Sequence, residues 1–131
     1  MAAATISLLV MLSLVGFVHG WPYFPLWYTH VLINNTIPGE FLTIHCNYHA
    51  DDRGVHVIAP SEQYKFQFKP NVWGTTKFSC SFGWSDVSHH FNIYVQSRDY
   101  DNCDKNCKWL IKSEGPCYIK SDDFCDLYQW D

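Results

Sequence analysis

The sequence predicts an all-β fold: a small antiparallel β-sandwich of about eight short strands, stapled by disulfides. Three observations carry this prediction. Aromatic residues make up 18% of the chain, with Trp 6, Tyr 8 and Phe 9, and such side chains favour the pleated, half-buried surface of a sheet. Apolar and polar residues alternate with period two in one short segment after another, between Gly- and Pro-containing turn signals. Six cysteines, the first at position 46, match the disulfide framework of a short exported chain.

The elements follow in order. Thr29 to Asn34 places Val31 and Ile33 on one face, and Pro38-Gly39 ends the segment. From Phe41 to Tyr48 the buried set is Leu42, Ile44, Cys46 and Tyr48, with Phe41, Thr43, His45 and Asn47 opposite. Asp51-Asp52-Arg53-Gly54 reads as a turn, and Val55 to Ala59 as a short strand closed by Pro60-Ser61. Tyr64, Phe66 and Phe68 share a face, as do Phe78, Cys80, Phe82 and Trp84 in the segment from Thr76. Phe91 to Gln96 sets Phe91, Ile93 and Val95 against Asn92, Tyr94 and Gln96. Ser97 to Lys105 reads as a charged loop. Lys108 to Ser113 places Trp109 with Ile111, Gly115-Pro116 turns the chain, and Tyr118 to Lys120 bounds a last strand before an aromatic tail. No segment shows a helical period longer than about two turns. The alternation implies antiparallel strands with one face on the core and one in water.

The N-terminus carries a targeting signal. Ile6 to Val18 is apolar apart from Ser7, Ser13 and Gly16, and Val18-His19-Gly20 offers small or aliphatic residues at the −3 and −1 positions of a cleavage site. That is the layout of a secretory signal peptide, and it is too short for a spanning helix. Residues 1–20 are therefore expected to be removed. Residues 21–131, beginning at Trp21, are expected to form a single secreted domain that does not insert in a membrane. Asn34-Asn35-Thr36 is an N-glycosylation sequon at Asn34. Cys46, Cys80, Cys103, Cys107, Cys117 and Cys125 are expected to be fully paired; six cysteines allow about fifteen pairings, among which spacing does not choose.

Composition and motifs exclude several functions. A net charge of −4 argues against a nucleic-acid binder, which needs a basic stripe to displace counterions from phosphates. His45 and His49, or His89-His90, invite a zinc site, but no third ligand stands at a matching spacing. Cys103-x3-Cys107 lacks the Cys-x-x-Cys and βαβ setting of a redox motif. Asp51-Asp52 and Asp122-Asp123 are adjacent pairs whose side chains point apart on a strand, unsuited to flank a glycosidic bond. There is no Gly-x-Ser-x-Gly elbow and no phosphate loop, and no enzyme or cofactor is expected. The aromatic residues Trp21, Tyr23, Phe24, Trp27, Tyr28, Tyr128 and Trp130 could form a carbohydrate platform, although core filling is the plainer use of such side chains.

Ile44-His45-Cys46 is followed by Asp51-Asp52 and Gly54. Then come Tyr64-Lys65-Phe66-Gln67-Phe68, Thr75-Thr76-Lys77-Phe78-Ser79-Cys80, Phe91-Asn92-Ile93-Tyr94-Val95, Cys103, Cys107-Lys108-Trp109 and Gly115. In order and spacing this set resembles the plant self-incompatibility S-protein homologue family, from about Thr29 to the C-terminus. Asp52-Arg53-Gly54 stands where members often carry Asp-Leu-Gly. The resemblance implies a small secreted β-sandwich with disulfides through Cys46, Cys80, Cys103 and Cys107; Cys117 and Cys125 lie beyond these four. It also implies a signalling ligand, after the family's best-known role as a stigma-secreted ligand recognised by a pollen membrane protein.

The expected function is thus a secreted, monomeric ligand for a cell-surface membrane protein receptor, the alternative being a carbohydrate- or cell-wall-binding module. The expected pairing is Cys46 with Cys107, Cys80 with Cys103 and Cys117 with Cys125, the inward-facing Cys46 and Cys80 meeting the later pair across the sandwich; the alternative exchanges the partners of Cys46 and Cys80. Specificity is expected in exposed loops. The first is Ser97 to Lys105, through Arg98, Asp99, Tyr100, Asp101, Asp104 and Lys105; the second is Asp51 to Gly54.

Overall fold

The computed structural model of the chain describes residues 26–120 and 122–131. The expected signal peptide, its cleavage site, and Trp21, Tyr23 and Phe24 lie outside the described residues. Among the described residues nine strands and one helix follow in order: β1 (Thr29–Asn35), β2 (Leu42–Tyr48), β3 (Asp51–Ile58), β4 (Gln63–Phe68), β5 (Lys77–Trp84), β6 (Val87–Val95), α1 (Gln96–Cys103), β7 (Asn106–Lys112), β8 (Gly115–Ile119) and β9 (Cys125–Leu127). They form a five-stranded sheet ordered β4-β1-β7-β8-β9 and a four-stranded sheet ordered β3-β2-β5-β6. Val31, Ile33, Phe66, Phe68, Trp109 and Ile111 of the first sheet meet Leu42, Ile44, Phe78, Phe82, Phe91 and Ile93 of the second in one core. The expected sandwich is therefore present, built from the residues whose alternation marked them as inward.

Several details differ from the sequence reading. β1 and β7 run parallel, with Val31 opposite Cys107 and Ile33 opposite Trp109; every other pairing is antiparallel. Alternation reports which face of a strand is buried and carries no information on direction. β3 begins at Asp51, and the turn lies earlier, at His49 and Ala50. Arg53 and Gly54 together oppose Cys46 as a bulge, and Gly54 has φ 77°, a conformation glycine adopts without strain. A second bulge leaves Ile93 between the pairs Phe78–Tyr94 and Ser79–Asn92. It turns Tyr94 inward together with Ile93, so Tyr94 is buried rather than on the opposite face. Gly115-Pro116 opens β8 instead of forming a turn. A Cβ at Gly115 would lie 2.0 Å from the Tyr128 carbonyl oxygen, so the C-terminal tail passes where any other residue would stand.

The disulfides are Cys46–Cys80, Cys103–Cys107 and Cys117–Cys125. The last agrees with expectation, and the two cross-sandwich pairings are corrected. β2 and β5 are neighbours in one sheet, where Cys46 stands directly opposite Cys80 with Cα atoms 4.0 Å apart. The inward thiols therefore meet side by side. Cys103 at the end of α1 and Cys107 at the start of β7 close the short connection between those elements.

Candidate functional site

The segment expected to be a charged recognition loop folds as α1. Its inward side is polar: Gln96 and Asp99 are buried, three residues apart and so on one helix face. Gln96 donates through Nε2 to the Asn71 carbonyl at 2.8 Å, and its Oε1 accepts from the Thr76 amide at 3.1 Å. Asp99, 4% exposed, accepts from the Val95 amide at 2.8 Å and from Arg98 Nε and Nη2 at 2.7 Å each. Arg98 Nη2 also donates to the Asn92 carbonyl at 2.9 Å. The guanidinium carbon lies 5.3 Å from the Phe91 ring, 5.4 Å from Trp109 and 5.3 Å from Tyr128, the range of cation–π attraction. Arg98 and Asp99 thus knit β6, β7 and the C-terminal tail together. Tyr100 is half-buried, while Asp101, Asp104 and Lys105 are exposed. Lys105 Nζ sits 4.5 Å from the Trp27 ring centre.

The second expected loop is likewise built into the sheet. Arg53 makes a two-pronged bond to Asp51, with Nε and Nη2 at 2.9 and 2.8 Å, and donates through Nη1 to the Gln67 carbonyl at 2.8 Å. Its guanidinium lies over Phe66 and Phe78, at 5.4 and 5.2 Å. Asp52 stays in water, 2.6 Å from His45 Nε2 and accepting from the Gly54 amide at 2.8 Å. The Gly54 N–H, followed by the His45 contact, holds the Asp52 carboxyl below its ordinary value of 3.8.

Two sheet faces emerge that the sequence reading did not single out. The outer face of the four-stranded sheet carries Val55 opposite His45 and Val57 opposite Thr43, and Phe41 continues the outward series of β2. Phe41, Val55 and Val57 are 62%, 63% and 61% exposed. The same face extends through His45, Ser81 and His90, which stand opposite one another on β2, β5 and β6. The outer face of the five-stranded sheet holds a depression of about 690 Å³ lined by Leu32, Asn34, Gln63, Lys108, Leu110, Ile119 and Asp123. Gln63, Asn34 and Leu110 form one row across β4, β1 and β7. A sequence signal for this second face exists. Leu32 lies between Val31 and Ile33, and Leu110 between Trp109 and Ile111, so each breaks its strand's alternation by placing an apolar residue outward.

The proposed aromatic platform is divided. Trp27 and Tyr28 are exposed. Tyr128 packs edge-on against Phe91 and Trp109, and Trp130 stacks on His89 at 5.0 Å and contacts Phe82 and Trp84. Those two tail residues close the open end of the core. Among the described residues, no group of three His, Cys, Asp or Glu is placed to hold a metal ion, and no helix is long and apolar enough to cross a membrane.

The model of a family described as plant self-incompatibility protein S1 matches residues 30–130. S-protein homolog 5 of Arabidopsis thaliana is 45% identical over 96 residues, 72% of this chain and 74% of that protein. S-protein homolog 29 of the same plant is 31% identical over 127 residues, 93% of this chain and 90% of that protein. A solved structure described as an SPH (self-incompatibility protein homologue), from "a widespread family of small, highly stable, secreted proteins from plants", superposes with a TM-score of 0.60. It has 17% identity and covers 79% of this chain and 94% of its own.

Proposed function

The chain belongs to the plant self-incompatibility protein S1 family, the S-protein homologues, small secreted proteins of plants, and from that premise we propose that it acts outside the cell as a recognition ligand for a cell-surface protein. In this reading residues 1–20 are removed on export and the mature chain works as a monomer, without catalysis and without a cofactor. The observation that carries it is the exposed trio Phe41, Val55 and Val57 on one sheet face. A cluster of exposed apolar side chains rimmed by polar ones (here Thr43, His45 and Asp52) is the usual mark of a protein interface. The exposed charged residues Asp101, Asp104 and Lys105, on and beside α1, serve encounter and discrimination, since exposed charges steer association more than they add affinity. Arg98 and Asp99 contribute indirectly, by holding α1 in place. The carbohydrate-binding alternative loses support because Tyr128 and Trp130 are committed to the core.

The test is binding of the labelled, oxidised secreted protein to protoplasts. The expected result is saturable binding that unlabelled protein competes and that protease treatment of the cells removes. Val55→Lys with Val57→Lys should weaken it by about tenfold or more, with thermal stability little changed because both side chains are exposed. Binding to intact walled cells that protoplasts do not show, and that cell-wall sugars compete, supports the alternative. Full binding by the double variant refutes the assigned face.

A further inference from the structure

We propose that Asn34 carries an N-linked glycan and that the depression on the outer face of the five-stranded sheet is the seat of its first sugars. The two adjacent asparagines of the sequon have opposite environments, as consecutive residues of a strand must. Asn35 is fully buried. It donates to the Glu40 and Ile58 carbonyls at 2.7 and 3.3 Å and accepts from the Ile37 amide at 3.1 Å, tying β1 to the turn that follows it. Asn34 faces the depression, and its Nδ2 donates to the Trp109 carbonyl at 3.2 Å. An amide nitrogen has two hydrogens. One serves Trp109, and the other is the one a sugar replaces.

The covalent step is a transfer from a polyprenyl-diphosphate-linked oligosaccharide. Asn34 Nδ2 attacks C1 of the reducing-end N-acetylglucosamine. The C1–O bond breaks, the polyprenyl diphosphate leaves with the electron pair, and the nitrogen gives up one proton, which passes to solvent. In the folded chain the sequon hydroxyl, Thr36 Oγ1, donates to the Ile111 carbonyl at 2.7 Å. Both acceptors, Trp109 and Ile111, belong to β7, so transfer precedes the docking of β7 on β1. Once folded, Leu32, Leu110 and Ile119 offer an apolar floor for the C–H face and acetyl methyl of the sugar. Gln63, Lys108 and Asp123 offer donors and acceptors for its hydroxyls. A glycan seated there covers the outward leucines and leaves the four-stranded face open. This inference does not depend on a receptor, because its readouts are covalent mass and release rate.

The full chain is expressed in plant cells and the secreted product analysed by intact mass and peptide mapping. One N-acetylhexosamine-based glycan is expected at Asn34, absent in Asn34→Gln and retained in Thr36→Ser. A glycan-releasing amidase should act about tenfold more slowly on the native than on the reduced, denatured protein, because local opening must come first. Leu110→Asp, which alters the floor and leaves the sequon intact, should speed release from the native protein. Unmodified Asn34 in the secreted product overturns the site. Native release that is as fast as denatured release, or that Leu110→Asp leaves unaltered, overturns the seat.

Discussion

Replacing Asp99 by Asn leaves the Arg98 guanidinium without the carboxylate it is paired with. The parent carboxylate receives three short hydrogen bonds, two of them from Arg98, while the Arg98 side chain is 24% exposed and surrounded by three aromatic rings. Deleting one member of a fully buried ion pair costs about 3–5 kcal/mol, because the other charge is stranded. The partial exposure of Arg98 lowers that, and retention of a bond to the Val95 amide by the Asn carbonyl lowers it further. The expected loss is therefore about 2–3 kcal/mol, or a fall in melting temperature of about 10–15 °C for a domain of this size. Urea unfolding of the oxidised protein at neutral pH measures it as a drop in midpoint at constant slope. Arg98→Met combined with Asp99→Asn should cost less than the sum of the single changes by about 1 kcal/mol or more. A single-variant loss under about 0.5 kcal/mol, or strict additivity in the double variant, would refute the assignment of this pair as a structural tie.

Three further outcomes are expected. Among paired Cys→Ala replacements, loss of Cys46–Cys80 should be the most destabilising, since its sequence separation of 34 exceeds the 8 and 4 of the other bridges; loop-entropy arguments give about 4 kcal/mol against about 2–3 for the others, and an equal or reversed ranking by urea midpoints refutes it. Asp52→Asn should lower stability at neutral pH. The folded-state pKa of Asp52 is depressed, so its contribution is present above the ordinary carboxylate range and lost as pH falls through the folded value. The parent–variant gap should accordingly close in acid, and a gap that persists at pH 2 contradicts the assignment. Gly115→Ala should cost about 3 kcal/mol or more by driving a methyl into the Tyr128 carbonyl. It should also alter Trp130 fluorescence as the tail lifts, and an unchanged spectrum with native stability would overturn that account.

The inward residues were legible in the sequence because burial of one face imposes period two, as in Phe78-x-Cys80-x-Phe82 and Tyr64-x-Phe66-x-Phe68. What alternation leaves out is the partner of each strand. The neighbour relation of β2 and β5 fixes Cys46 against Cys80, and no spacing along the chain encodes it. α1 escaped for a different reason: its buried side is Gln96 and Asp99, so a search for apolar residues at helical period finds nothing there. The same substitution of polar for apolar burial made Arg98 and Asp99 resemble a solvated recognition loop. The Ile93 bulge shifts the faces by one residue, and a one-residue slip exchanges every side chain beyond it. The outward trio Phe41, Val55 and Val57 needed the β2–β3 register before its members could be seen as one patch.

The parallel β1–β7 pairing also sets a clock. Asn34 and Thr36 each bond a carbonyl 75 residues further along the chain. At a synthesis rate of about 5–20 residues per second, those carbonyls are made roughly 4–15 s after the tripeptide itself. Of the two strands that flank β1, β4 is completed within that interval and β7 is not, so the other edge of β1 stands open to whatever enzymes or chaperones attend the emerging chain. The same tripeptide placed on β7 would have no such interval, because β1 would already be waiting beside it. The order in which the strands are made therefore decides which side chains can be reached while the protein is still being born.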